Sequence, residues 1–430
     1  MLMTRTQFAR ALYQGLGRPL VYARAHATDP FADLIVQACL YNPLYDRLTG
    51  VDRAPYLGEL IAATGAEASF RARILAALAD PDDDMDAALL FDLALPFAQG
   101  GDAAARHAMR ARFRDNLRNG DTTGADQLIA LDGDAGLRVV VTQIGAAIRR
   151  AVAFTDGGLP ARLLDDLAVA FADDPSVLND PRVAAFRTAA RGSMADQAAT
   201  AAAQARRRQL RETLAALTYA EVRQAAEAKE LSVMGVIDWG TRAPASELRR
   251  AADELRTTSD PARQQWLLSI FSARDFPDGH VPLLPFLDRP EPRLAHRAAQ
   301  ALARFRHPAL RARALTLLAQ PATLEHGLIL LVGNHASGDY ALLTALAQAQ
   351  TDDDALHAIG WWAHARFTRA PAPEAADLLL TLYERGPCAQ CRQDVVADVI
   401  ALDALPAHLA EECRFDANQT VRGLVAGMRG

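Results

Sequence analysis

A chain of 430 residues exceeds one ordinary core and suits either two domains or a linear array that grows without a single centre. Half of it is hydrophobic, 6% is aromatic, and the formal charge is -6 with a pI near 5.9. That balance excludes a surface that tracks nucleic acid throughout, and four cysteines are too few for a disulfide-stapled secreted scaffold.

No apolar run approaches bilayer length, and Met1 to Val21 lacks a continuous apolar signal core, so the expectation is a cytoplasmic protein with no membrane partner. Lys229 is the only lysine. The arginines that carry almost all the positive charge are spread along the whole chain, which fits a compositional bias better than selection for bidentate contacts.

In chain order, Arg5 to Leu16 reads as a first helix stopped by Gly15 and Gly17. Asp29-Pro30 caps a second, on which Phe31, Leu34, Ile35, Ala38 and Cys39 share one face, so Cys39 is a core residue. Leu57, Leu60 and Ile61, then Phe70, Ile74 and Leu78, form two further stripes before the acidic turn at Asp82 to Asp84. From Met85 to Ala190 the connections lengthen and become rich in glycine. The run Leu137 to Val141 resembles a strand in composition, yet Leu137, Val140, Val141, Ile144 and Ile148 hold helical spacing, and helix is expected. Leu163, Leu164, Leu167 and Phe171 follow as another helix.

Residues 193–217, rich in alanine and containing Arg206, Arg207 and Arg208, are expected to form one exposed connecting helix. They separate an irregular helical region, 1–192, from a more regular helical array, 218–430. Val233 to Gly240 reads as a loop carrying Trp239. Between Leu283 and Leu346 short amphipathic helices follow end to end: Leu310, Ala314, Leu317 and Leu318 form one stripe, and Leu324, Leu328, Leu331 and Val332 the next. Pro308, Pro321 and Gly333-Asn334 punctuate them. Such helices bury their stripes only by stacking on neighbours. Leu378, Leu379, Leu382 and Tyr383 lie on a helix from Glu374 to Tyr383, and helices through Val395 to Ile400 and Gln419 to Met428 close the chain. No alternating strand pattern of useful length occurs, and the fold class is all-α.

No Walker loop, G-x-S-x-G elbow or complete G-x-G-x-x-G is present, so no catalytic set and no cofactor are expected. Cys388 and Cys391 form a CxxC pair whose downstream partners for zinc would be His408 and Cys413, an awkward spacing that favours two reduced structural thiols and no metal. Eight of ten histidines lie between His280 and His408 without a ligand motif; His357 and His364 share a helix face about 10 Å apart, too far for one ion. The Asp runs at Asp82 to Asp84 and Asp352 to Asp354 read as helix caps. Two surface features remain. Arg293, Arg297 and Arg304 project within roughly 40° of each other. Adjacent Trp361 and Trp362 cannot both enter one core, so one is an aromatic anchor at an edge.

Leu287-Asp288, Pro290 to Leu294, Ala298, Ala301-Leu302, Phe305 and Pro308 resemble the HEAT-repeat pattern, with Ala295 where that family usually has arginine. Asp416 to Leu424, with Val421-Arg422, resembles the same turn, and Asp180 to Val183 is a weaker echo. The resemblance, to HEAT-repeat (armadillo-type) α-solenoids such as bacteria carry, spans the last 150 to 200 residues at a repeat of about 40. It implies an α-α superhelix, less regular in the N-terminal half, and no particular function. The resulting expectation is a non-catalytic scaffold whose concave surface holds a protein or peptide. The alternative is a nucleic-acid-binding protein, possibly resembling the HEAT-like DNA glycosylases, with Arg293, Arg297 and Arg304 in its groove.

Overall fold

The computed structural model describes residues 3–42, 45, 52–80, 86–152, 154, 162–172, 174–192, 214–228 and 230–428. Every regular element among them is a helix, as the periodicity predicts. Most of the 193–217 stretch, including Arg206 to Arg208, lies outside the described residues, as do Asp82 to Asp84 and Lys229; Leu214–Ala216 form a single 3-10 turn. Contacts divide the chain into two units, one of residues 1–200 with 406–430 and the other of residues 201–405.

In the first unit, local capping chemistry sets the helix ends. Thr4 and Gln7 form a reciprocal capping box on Arg5–Gln14, and Gly15 ends that helix at φ 75. The stripe from Phe31 to Cys39 is buried on Ala32–Leu40, and Leu137, Val140, Val141 and Ile144 are buried on Asp134–Arg149, so the β-branched run is helical because its spacing, not its composition, matches the burial. Phe8 stacks on Phe31 with ring centroids 4.3 Å apart. Residues 406–430 pack against the opening helices: Ala417 N–H donates to Gly15 O at 2.8 Å, Arg18 pairs with Glu412 at 2.9 Å, and Arg422 with Glu59 at 2.7 Å. Gly17 permits the approach, because a Cβ there would sit 1.9 Å from the Glu412 carbonyl oxygen.

In the second unit, alternate helices pack on one another. Pro292–Leu302 packs on Leu324–Gly333, that helix on Asp353–Arg369, and that one on Ala389–Ala401; Asp339–Ala349 and Ala376–Arg385 pair in the same way. Proline at the first turn starts Pro261–Phe271, Pro292–Leu302 and Pro308–Leu318, where its missing N–H costs nothing. Asp352 caps Asp353–Arg369 by accepting from Ala355 N–H at 3.1 Å.

Two local expectations differ from the structure. Val233 to Gly240 is no loop: Val233–Arg242 is a helix, capped by Ser232, with Trp239 fully buried and donating Nε1–H to Leu217 O at 3.0 Å. Its two glycines disguise it. Gly240 is there because a side chain would meet the Ile270 carbonyl oxygen at 2.3 Å, so the helix gives up propensity for a close crossing. The array's opening segment, Val281–Asp288, is a 3-10 helix, since Pro285 inside it would clash with an α-helical carbonyl four residues earlier.

Candidate functional site

A concave depression of about 1060 Å³ opens within the second unit. Pro292–Leu302 contributes Arg297 and Gln300, the following turn Arg304, Arg306 and His307, Pro308–Leu318 contributes Arg311, and Asp353–Arg369 contributes Trp361, Arg366 and Arg369. Met234 and Ile237 add an apolar edge. Its lining holds six arginines and no carboxylate. Two of the six are neutralised locally: Arg304 pairs with Asp275 at 2.8 Å, and Arg311 grips buried Asp339 through two bonds of 2.5 and 2.6 Å. Among the described residues Arg297, Arg306, Arg366 and Arg369 make no ion pair, which leaves an uncompensated positive field in a hollow where low-dielectric walls concentrate it.

The floor is short of hydrogen-bond partners. His335 and Arg366 line it, and His335 Nε2 and Arg366 Nε are buried without a partner among the described residues. Burial, with a smaller contribution from Arg366, lowers the His335 pKa and favours the neutral ring. Burial likewise pulls the Arg297 guanidinium below its usual value. Orphaned buried polar atoms cost free energy unless water or a ligand meets them.

The surface residues singled out from the sequence divide. Arg297, Arg304 and Trp361 share this depression. Arg293 lies in a neighbouring one of about 550 Å³, whose walls include Arg297, His296, Glu325, His326, Asp352 and Asp354. Trp361 is 53% exposed and Trp362 fully buried, so of the adjacent pair only Trp361 is available to a partner. Arg306, Arg366 and Arg369 were not singled out; the last two sit some 60 residues from Arg304 to Arg306 in the chain, and only the packing of alternate helices joins them.

A second constellation lies in the same unit. His357, Cys388 and Cys391 bring their ligand atoms within 4.8 Å of one another, with Cys391 Sγ 3.4 Å from His357 Nδ1. The sequence pairs the two cysteines with His408 and Cys413; the residue whose ligand atom stands beside both thiols is His357. Cys388 occupies the N-cap of Ala389–Ala401, and none of the four cysteines forms a disulfide. Hydrogen bonding from Cys391, backbone N–H groups of Gln390 and Cys391, and the charge of His357 hold the Cys388 thiol well below the ordinary thiol range against the opposing effect of burial. His364 does not join them, as its distance from His357 along the helix predicts.

Among the described residues no helix is long and apolar enough to cross a membrane. The class that fold and site define is an all-helical protein with a basic concavity. Comparison with protein-family models, with curated proteins and with solved structures found no match for the chain.

Proposed function

We propose that the protein is a non-catalytic binding module, built as a HEAT-like α-α superhelix, that seats an acidic segment of a protein or peptide in the depression of its second unit. The observation that carries this reading is the lining itself: six arginines, no carboxylate, and exposed Trp361 at the edge. Guanidinium forks match carboxylates in plane and in number of bonds, and a half-exposed indole supplies the apolar anchor that dominates many interfaces. Unpartnered His335 Nε2 and Arg366 Nε on the floor add polar atoms that a seated side chain can satisfy. The superhelical reading is supported by the succession of alternate helices that pack on one another, from Pro292–Leu302 through Leu324–Gly333 and Asp353–Arg369 to Ala389–Ala401.

The arrangement favours a peptide over nucleic acid. The arginines converge in one hollow instead of following a track, and the adjoining depression presents Glu325, Asp352 and Asp354 to anything that extends past Arg297. A continuous phosphate backbone would meet that negative charge.

Fluorescence anisotropy with a labelled peptide of aspartate, glutamate and one leucine, beside a single-stranded oligonucleotide of equal charge, tests the reading. The peptide is expected to bind and to quench Trp361, and Arg306→Gln with Arg369→Gln, both exposed, to weaken it roughly 10- to 100-fold. Unchanged peptide affinity in the double variant counts against the site. Tighter oligonucleotide binding with the same sensitivity transfers it to nucleic acid.

A further inference from the structure

We propose that His357 Nδ1, Cys388 Sγ and Cys391 Sγ together hold a zinc ion, with the fourth position left to water or to a ligand from solution. The inference is independent of the acidic-partner reading, since none of these three residues lines the arginine depression.

The geometry is close to what zinc asks. Zinc–sulfur bonds of about 2.3 Å and zinc–nitrogen bonds of about 2.0–2.1 Å in a tetrahedron separate sulfur from nitrogen by about 3.6 Å and the two sulfurs by about 3.8 Å. Cys391 Sγ and His357 Nδ1 are 3.4 Å apart, and the widest separation in the trio is no more than 4.8 Å. The upper bound exceeds the tetrahedral separations by only about 1 Å.

The supports are in place as well. The CxxC pair straddles the first turn of Ala389–Ala401, so one ligand precedes the helix and the other is fixed on it. His357 stands on Asp353–Arg369, whose packing against Ala389–Ala401 is fixed independently by the 2.9 Å contact of His364 with Asp398. Charge also balances: two thiols release their protons to solvent, and two thiolates with a neutral imidazole cancel the ion's charge, so a half-buried site carries no net charge. Soft sulfur ligands with one imidazole select zinc over magnesium or calcium. Three protein ligands leave one coordination position open.

The full-length protein, loaded with zinc sulfate and then desalted, tests this by elemental analysis. The expected result is one zinc per chain, with Cys388→Ser, Cys391→Ser and His357→Ala each weakening retention by more than roughly 100-fold, beyond what loss of a supporting residue costs. As a measurement that needs no variant, cobalt added to chelator-treated wild-type protein is expected to give thiolate-to-metal charge-transfer absorption and the intense visible bands of a tetrahedral site. Wild-type protein that retains no zinc, cobalt that binds without thiolate absorption, equal zinc in the cysteine variants, or a Cys388–Cys391 disulfide that persists in the metal-loaded protein would each overturn the proposal.

Discussion

His364 Nδ1 and Asp398 Oδ2 are 2.9 Å apart, and this contact repeats, two helical turns further on, the one between His357 and Cys391. The step is seven residues on both helices, from 357 to 364 and from 391 to 398, so Asp353–Arg369 and Ala389–Ala401 run parallel and in register. A polar rung thus braces the pair of helices that carries the thiol–imidazole cluster.

Burial raises the Asp398 carboxyl above its ordinary value, the His364 hydrogen bond opposes that rise, and nearby Asp394 adds to it. A carboxyl whose folded pKa is raised binds its proton more tightly in the native state. Its contribution to stability is therefore complete below the ordinary carboxylate range and is lost as pH climbs through the raised value. Asp398→Asn is expected to flatten this part of the stability profile, and His364→Ala to extend the loss to higher pH by removing the contact that favours the carboxylate. Urea unfolding midpoints between about pH 3.5 and about pH 7 check both. A wild-type profile that rises across that window and is unchanged in Asp398→Asn contradicts the assignment.

Asp339 is almost wholly buried, and Arg311 satisfies it with a bidentate grip while also donating to Asn334 O at 3.2 Å. Asp339 accepts a further bond from Ala336 N–H at 2.8 Å. Removing the cation leaves a buried charge with one remaining support, so Arg311→Leu is expected to destabilise the second unit by about 3 kcal/mol. Asp339→Asn with Arg311→Leu should recover part of that loss, because the stranded charge is gone. Equilibrium denaturation followed by circular dichroism measures both; a single variant within about 0.5 kcal/mol of wild type would show that water reaches Asp339.

Trp361 and Trp362 are adjacent and opposite in consequence. Trp362→Ala empties a fully buried volume beside Tyr340 and His335, whose ring centroids each lie 6.1 Å from its own, and is expected to cost about 3–5 kcal/mol. Trp361→Ala is expected to leave stability within about 0.5 kcal/mol while weakening capture of the acidic peptide. Equal destabilisation by the two substitutions would mean that Trp361 is covered.

Much of the secondary structure was legible in the residues alone. Thr4 and Gln7, and Asp352, mark helix starts through bonds to their own neighbours, Pro292 and Pro308 mark them by lacking an N–H that the first turn does not use, and the stripes of Leu310 to Leu318 or Phe31 to Cys39 report burial through a 3.6-residue period. The opposition of Trp361 and Trp362 follows from the same geometry. Val233–Arg242 escaped because Gly240 serves the crossing with Pro261–Phe271 and Gly235 makes room for the Leu231 side chain, demands that local propensity opposes.

What the sequence by itself determined is therefore the set of helices, most of their ends, and which face of each is apolar, since those depend on contacts within about four residues of chain. The tertiary structure alone decided that His357 meets Cys388 and Cys391, that Arg366 and Arg369 close a hollow begun by Arg297 and Arg304, and that residues 406–430 return to Gly15 and Gly17. Each of those meetings spans tens to hundreds of residues and is set by how helices cross. A crossing is a property of two surfaces fitted together, and neither surface alone carries it in its local pattern.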